Sequence, residues 1–425
     1  MRTIPTRRRR PAPALGATAL GAAGLLALTA CGGSGFDEGG DTSSDGGSSG
    51  SLSVLIGSSG DAETDAVTAA VAAWSEESGV EATVQVASDL TQELSQGFAS
   101  GDPADVFYVS ADQFQTYASN GSLYPYGADL DAADDFYPSL VDQFTYDGEL
   151  VCAPKDFSTL GLIINTSAWE AAGLTEADVP TTWEQLTDVA GRLTTDGQVG
   201  LGISGEYARV GAFLAQAGGT MTDAAGTEAT VDSPENVEGL TYVQQLLASG
   251  SAAYAADLGT GWGGEAFGTG AAAMTIEGNW ITGAMENDYP DVAYQVAELP
   301  AGPAGQGTLQ FTNCWGVAAD SSAQSDAVDL VQHLTAADQQ LAFADAFGVM
   351  PSVQSAADGW KEMYPEMTAF IDSAAFAQNV VNARGAADVI TDFNAQLEGL
   401  KTGDPAAILG SVQTNLQAVL DENAS

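Results

Sequence analysis

The sequence predicts an α/β fold built on a parallel sheet. Three observations point there. From residue 51 onward, apolar strand-like runs alternate with helical runs across short turns. The composition supplies large cores, with 45% apolar residues, 7 Trp, 12 Tyr and 15 Phe. The length, 425 residues, leaves room for roughly two to three domains.

The elements follow in order. Residues 52–56 (LSVLI) form a strand pattern that ends in the turn Gly57-Ser58-Ser59-Gly60. Residues 63–78 place Val67, Ala70, Val71 and Trp74 at i, i+3, i+4 and i+7, which is one face of a helix. Residues 81–86 alternate as a second strand, and 90–99 form a helix that stops before Gly101-Asp102-Pro103. Residues 105–109 (DVFYV) are a third, buried strand. In such sheets ligands collect at the carboxyl ends of strands. Those ends carry Gly57-Ser58-Ser59 and Ser110-Ala111-Asp112.

The middle of the chain reads as two strands, 150–154 and 160–165, separated by 155–159. Helices are expected at 183–194, behind Pro180 and a Thr181 or Thr182 cap, at 208–217, and at 234–249 before Gly250. Residues 271–276 form a strand running into Glu277-Gly278-Asn279-Trp280, and 311–318 form another. The tail is mostly helical, at 327–335, 337–347, 366–376, 386–399 and 405–422. No repeat of fixed period occurs, which excludes a solenoid.

The first 50 residues read as an address. Arg7 to Arg10 form a basic start, residues 12–28 an apolar stretch too short for a membrane span, and Leu28-Thr29-Ala30-Cys31 a small-residue end. That grammar predicts a signal peptide over 1–30. Residues 32–51 (GGSGFDEGGDTSSDGGSSGS) have almost nothing to bury and predict a flexible tether, taken as 31–50, reaching roughly 25 Å on average. With Cys31 set aside, Cys152 and Cys314 remain. An oxidising compartment favours a disulfide between them over two buried free thiols.

Charge narrows the partners. The chain carries 57 acids against 11 bases, a formal net charge of −46. Five of the bases are Arg2 and Arg7 to Arg10. Beyond residue 30 six bases face 57 acids, a net −51. Such a field repels phosphate backbones and anionic headgroups, so neither nucleic acid nor electrostatic membrane docking is expected. It suits a solubility surface.

The usual chemistry motifs are missing. His333 is the sole histidine and reads as a surface or packing residue; no nucleophile elbow, HExxH, paired zinc cysteines or Walker A run accompanies it. No catalytic group, metal site or cofactor is therefore expected. Gly259-Thr260-Gly261-Trp262-Gly263-Gly264 matches GxGxxG formally but lies far from the first βα turn, and reads as a mobile loop. What stands out is a set of aromatics at loops and strand ends: Tyr108, Trp262, Trp280 and Trp315. Each alone fits core packing. As a set beside Asp, Asn and Ser they suit a sugar, which offers an apolar C–H face and a belt of hydroxyls.

Six stretches, in order, carry a family resemblance. They are Gly148 to Asn165, with Ile164 where Tyr is usual; Val179-Pro180-Thr181-Thr182-Trp183-Glu184-Gln185-Leu186; Phe267 to Trp280; Leu299-Pro300-Ala301-Gly302-Pro303; Cys314-Trp315-Gly316-Val317-Ala318; and Gly348-Val349-Met350-Pro351-Ser352. From about residue 51 to the end, the chain resembles the sugar-binding group of ABC-importer extracellular solute-binding proteins, those similar to maltose-binding protein. Cys31 after Leu-Thr-Ala resembles a bacterial lipobox. Glu149 replaces the family's usual Lys, and Ser58-Ser59 replace a Trp or charged residue.

The resemblance implies a periplasmic-binding-protein-like fold with two α/β lobes around a cleft. Lobe 1 would span 51–153 plus 317–355 and lobe 2 160–310 plus 360–425, with a hinge near 152–160 and 309–317. Cys152 and Cys314 would then sit on adjacent hinge strands. The implied activity is not enzymatic: capture of a mono- or oligosaccharide by hinge closure and delivery to ABC permease subunits. The protein would act as a monomer held at the outer face of the cell membrane by lipid on Cys31. Trp280 would stack on a sugar ring; Ser59, Ser110, Asp112, Asp156, Tyr207, Trp262, Trp315 and Arg384 would join it in the cleft. Arg384, one of the six bases, reads equally as a surface residue. Two alternatives stay open: the same fold binding a polyamine or other organic solute, and a secreted glycoside hydrolase, which needs two cleft carboxylates about 5–9.5 Å apart.

Overall fold

Strand–helix alternation at the start of the body takes its expected form. In the computed structural model, which describes residues 51–424, β1 (Leu52–Ile56), α1 (Asp61–Ser78), β2 (Ala82–Val86), α2 (Leu90–Ser100), β3 (Val106–Ser110) and α3 (Ala111–Ser119) follow one another. The predicted stripe is the buried one: α1 turns Val67, Ala70, Val71 and Trp74 inward and stops at Gly79, whose φ of 76° is left-handed. The Asp89 side chain accepts from the Gln92 N–H to start α2, and Gly101 ends it. The expected signal peptide, the acylated Cys31 and the 31–50 tether lie outside the described residues.

After α4 (Pro138–Gln143) come the short pair β4 (Thr145–Tyr146) and β5 (Glu149–Leu150), then β6 (Ala153–Asn165). Next are α5 (Thr166–Ala171), α6 (Trp183–Leu193), β7 (Val199–Ile203), α7 (Tyr207–Gln216), α8 (Pro234–Ser249), β8 (Ala252–Tyr254), β9 (Ala272–Gly278), β10 (Tyr294–Ala297) and β11 (Thr308–Val317). Helices Gln324–Thr335 and Ala337–Phe347, strand β12 (Ala377–Asn379), and helices Ala386–Leu397 and Pro405–Asn423 complete the chain.

The strands form one ten-stranded sheet in the order β2-β1-β3-β11-β6-β9-β7-β8, with β10 on β6 and β12 on β11. β2, β1 and β3 are parallel to one another, as are β9, β7 and β8. β11 and β6 run between the two parallel sets. β6 pairs with β11 through Thr159, then with β9 from Leu160 and with β10 from Leu162. β3 and β9 therefore run in opposite senses and point toward each other. The carboxyl end of β3, Ser110, registers through Asn313 with Asp156; that of β9, Gly278, registers with Leu160. Four residues, about 13 Å of strand, separate the two sets of carboxyl ends. The sheet thus aims two ligand-prone edges at one gap.

Buried side chains form separate clusters on either side of that gap. One holds Leu160, Leu162, Leu201, Val210, Phe213, Leu240, Met274, Phe393 and Leu409; another holds Leu52, Val54, Val67, Trp74, Tyr108, Trp315 and Leu330. Cys152 and Cys314 are joined by a disulfide with Cα atoms 5.6 Å apart. It ties the entry of β6 to β11 beside the register shift between Asn313 and Cys314.

Several local expectations change. Residues 155–159 do not interrupt a pair of strands; β6 is continuous over 13 residues because β11 pairs the stretch that looked like a break. The helix expected at 366–376 is a short helix, Thr368–Asp372, between two 3₁₀ turns. Strands β7, β8, β10 and β12 lacked a readable alternation. β7 reads VGLGI because α6 presses on it: a Cβ on Gly200 would lie 2.0 Å from the Ala190 carbonyl oxygen. The glycine-rich 259–264 stretch is half ordered into secondary structure, since Gly263 and Gly264 open the helix Gly263–Gly268.

Candidate ligand-binding cleft

The residues that crowd the gap come from strand ends, as the topology requires. On one side Gly57 to Gly60 lead from β1 into α1, and Ser110 to Asp112 lead from β3 into α3. On the other, Ser204 to Arg209 lead from β7 into α7, and Asn279 and Trp280 follow β9. Between them lies open space. A recess of about 280 Å³ is lined by Asp112, Tyr207, Phe311 and Asn382, among others. A larger cavity of about 1170 Å³ runs on from it, lined by Gln143, Tyr207, Asp223, Asn382 and Arg384, among others. Tyr207, Asn382 and the segment between Val380 and Ala383 line both, so the two are one cleft. That volume lies above the usual range of small-molecule sites, about 300–1,000 Å³, and leaves room for a ligand of more than one ring.

Trp280 stands beside this cleft. It is 38% exposed, unusual for so large an apolar side chain. Its ring meets Phe311, a wall of the smaller recess, edge-on at 5.4 Å. Its Nε1 donates to Glu277 Oε2 at 3.1 Å, and the Arg209 guanidinium lies over the ring at 5.2 Å. Arg209 in turn donates to the same Glu277 oxygen from Nε (3.0 Å) and Nη2 (2.6 Å), and its Nη1 pairs with Glu206 at 3.0 Å. The Glu277 side chain is wholly buried. Burial raises its carboxyl above the ordinary glutamate value, although Arg209 and the Trp280 N–H pull the other way.

A second charged cluster is buried near the carboxyl ends of β1 and β3. Lys155, buried on β6, pairs with Asp156 and, at 3.1 Å, with Glu63 of α1. Its ammonium lies 4.6 Å over the Tyr108 ring, whose hydroxyl donates to Glu63 at 3.0 Å. Ser59 donates to Glu63 from both its N–H and its hydroxyl. Burial pushes the Glu63 carboxyl up, but Lys155 and the Ser59 bonds outweigh it, leaving it below the ordinary value. At Asp156 burial prevails over Lys155 and the carboxyl is raised. Desolvation pulls Lys155 down, yet Asp156, Tyr108 and Glu63 more than reverse it, and the ammonium is held charged.

The nine candidate side chains part company here. Asp112, Tyr207 and Arg384 line the cleft, and Trp280 adjoins it through Phe311. Ser110 is half-buried at the end of β3. Ser59 and Asp156 are engaged with Glu63 and Lys155. Trp262 is half-buried against the cluster around Phe267 and Met285. Trp315 is the correction: it is fully buried, packed edge-on against Tyr108 at 4.7 Å, and does not reach the cleft. Arg384 Nε donates to Asn423, so part of its fork is already engaged.

Sequence reasoning passed over Arg209, Glu277, Glu206 and Phe311. Signals existed for two of them. Arg209 is one of only six bases beyond residue 30, and Glu277 is an acid in the otherwise apolar strand AAMTIEG.

Comparison with known proteins agrees with this architecture. The pattern of the family described as bacterial extracellular solute-binding protein matches residues 69–369. The cyclic α-maltosyl-1,6-maltose binding protein of Arthrobacter globiformis is similar in structure, with a TM-score of 0.78 and 23% identity over 88% of this chain and 99% of that one. So is the sugar-binding protein MalE of Xanthomonas citri, with a TM-score of 0.77 and 16% identity over 88% and 98%. UgpB of Mycobacterium tuberculosis, solved with glycerophosphocholine, gives a TM-score of 0.74 and 18% identity over 88% and 100%. At these identities the likeness is one of fold.

Proposed function

Because this chain belongs to the bacterial extracellular solute-binding protein family, we propose that it captures a mono- or oligosaccharide for an ABC importer. One observation carries the choice of ligand: Trp280 presents an exposed, anchored indole beside a cleft whose walls include Asp112, Tyr207 and Asn382. An indole face suits the C–H face of a sugar ring, and the polar walls suit its hydroxyls. The A. globiformis and X. citri neighbours, described as binding a cyclic maltosyl-maltose and as sugar-binding, support the same class. Asp112, Tyr207, Trp280 and Arg384 are the proposed contacts.

The two parallel sets act as lobes, 51–153 plus 317–355 and 160–310 plus 360–425. The crossing stretches 152–160 and 309–317 act as the hinge. Ligand bound to one lobe gains the other lobe's contacts on closure, and that differential affinity shifts the population. The permease subunits then read the closed form. Cys31, acylated after removal of 1–30, holds the protein on the outer face of the membrane through the 31–50 tether.

The chain from residue 51 is suited to the test, since residues 51–424 lie within one compact unit. A thermal-shift screen against neutral sugars, spermidine and glycerophosphocholine is expected to give a saturable rise with a sugar. Small-angle scattering should then show a smaller radius of gyration at unchanged mass. Trp280→Ala should weaken the sugar by about tenfold or more, equivalent to about 1.4 kcal/mol, without lowering the unliganded melting temperature comparably. A response to spermidine or glycerophosphocholine alone would replace the sugar reading with that solute.

A further inference from the structure

We propose that Arg209 is a positioning residue for Trp280, holding the indole as a one-sided platform at the cleft before any ligand arrives. The inference rests on the carbohydrate reading of the cleft and concerns how that site is prepared. An exposed tryptophan at a strand end has two rotatable bonds, and freezing them on binding costs affinity. Here they are already frozen. Three contacts fix the ring: its N–H on Glu277 Oε2, the guanidinium over one face, and Phe311 set nearly perpendicular to it.

The guanidinium cannot drift from that face cheaply. Its Nε and Nη2 share Glu277 Oε2, a buried atom at the end of β9, and its Nη1 reaches Glu206, the residue just before α7. The Arg209 side chain is only 12% exposed. Planarity lets one side chain stack and fork at once, which an ammonium cannot do. One indole face is thereby spent on Arg209, and the ring stays 38% exposed for a ligand.

The same arrangement joins two strand ends. Arg209 belongs to α7, which follows β7, and Trp280 follows β9; these strands are parallel neighbours. The platform is therefore tied to the β7–α7 corner that also supplies Tyr207 to the cleft.

Two variants test this. Arg209→Met combined with Glu277→Gln removes both buried charges together while keeping an acceptor for the indole N–H. Arg209→Lys keeps the charge and loses the planar fork. Emission attributable to Trp280, obtained by subtracting the matching Trp280→Phe protein, is measured without ligand. Both variants should show a red shift and at least a twofold rise in acrylamide quenching. Unchanged emission and quenching in a folded variant overturn the proposal. With maltotriose as probe, each variant should bind about three- to tenfold more weakly, and neither should weaken binding further in a Trp280→Ala background. Additional loss in that background would make Arg209 a direct ligand contact and overturn the positioning role. If the unmodified chain binds no sugar, the carbohydrate reading falls, while the emission arm still decides the placement of Trp280.

Discussion

Glu63 illustrates what a single side chain can do in an acidic protein. It is one of 57 acids, yet it is sealed inside, where Lys155, Tyr108 and Ser59 converge on it. Orphaning a buried charge typically costs about 3–5 kcal/mol, but Lys155 keeps Asp156 when Glu63 is neutralised. Glu63→Gln should therefore lower unfolding free energy at pH 7 by less, about 1–3 kcal/mol for the weakened buried hydrogen bonds, read from urea denaturation. The sign of the pH dependence follows from its depressed carboxyl. The native state prefers the ion, so its contribution is whole above the ordinary value of 4.5 and is lost as pH falls through the lower native value. The gap between wild type and variant should therefore narrow in acid. Lys155 was legible as informative because bases are so scarce. Its true partners were not, because Glu63 lies 92 residues away and only the β1, β3 and β6 neighbourhood brings them together.

At the scale of elements, β6 and β11 decide the architecture. Each looked like an ordinary strand or a pair of fragments. Their lengths, 13 and 10 residues, matter because they outrun any single set of partners and carry the chain from one parallel set to the other. The Cys152–Cys314 bond clamps the start of β6 to the later part of β11. It closes a loop spanning 162 positions, for which the chain-entropy argument gives about 5 kcal/mol. Cys152→Ser with Cys314→Ser should lower the urea midpoint accordingly. Wild type should resist reductant under native conditions, since both cysteines are fully buried. Helices with clear caps, such as 234–249, were legible to the residue. Strands β7, β8 and β10 were not, being three to five residues long and shaped by neighbours such as Ala190 rather than by their own period.

At the scale of the molecule, charge acts on the whole. Six bases beyond residue 30 cannot balance 57 acids, so folding gathers like charges. Raising salt from 10 to 150 mM shortens the screening length from about 30 to about 8 Å. The melting temperature should rise with it, by roughly 1 °C for each kcal/mol of repulsion removed in a body of this size; a flat or falling trend would show that the acids are spaced widely enough not to repel. The α/β class, the order of the family motifs and the acidity are legible in the sequence, because periodicity, turn residues and composition are local or additive. The sequence could not separate Trp280 from Trp315. Trp315 lies on β11 and Trp280 two residues past β9, yet Trp280 is exposed beside the cleft while Trp315 fills a core. Packing between distant parts of the chain makes that difference. A strand's pattern records that a face is covered, while which face, and by what, depends on strands far away in the chain.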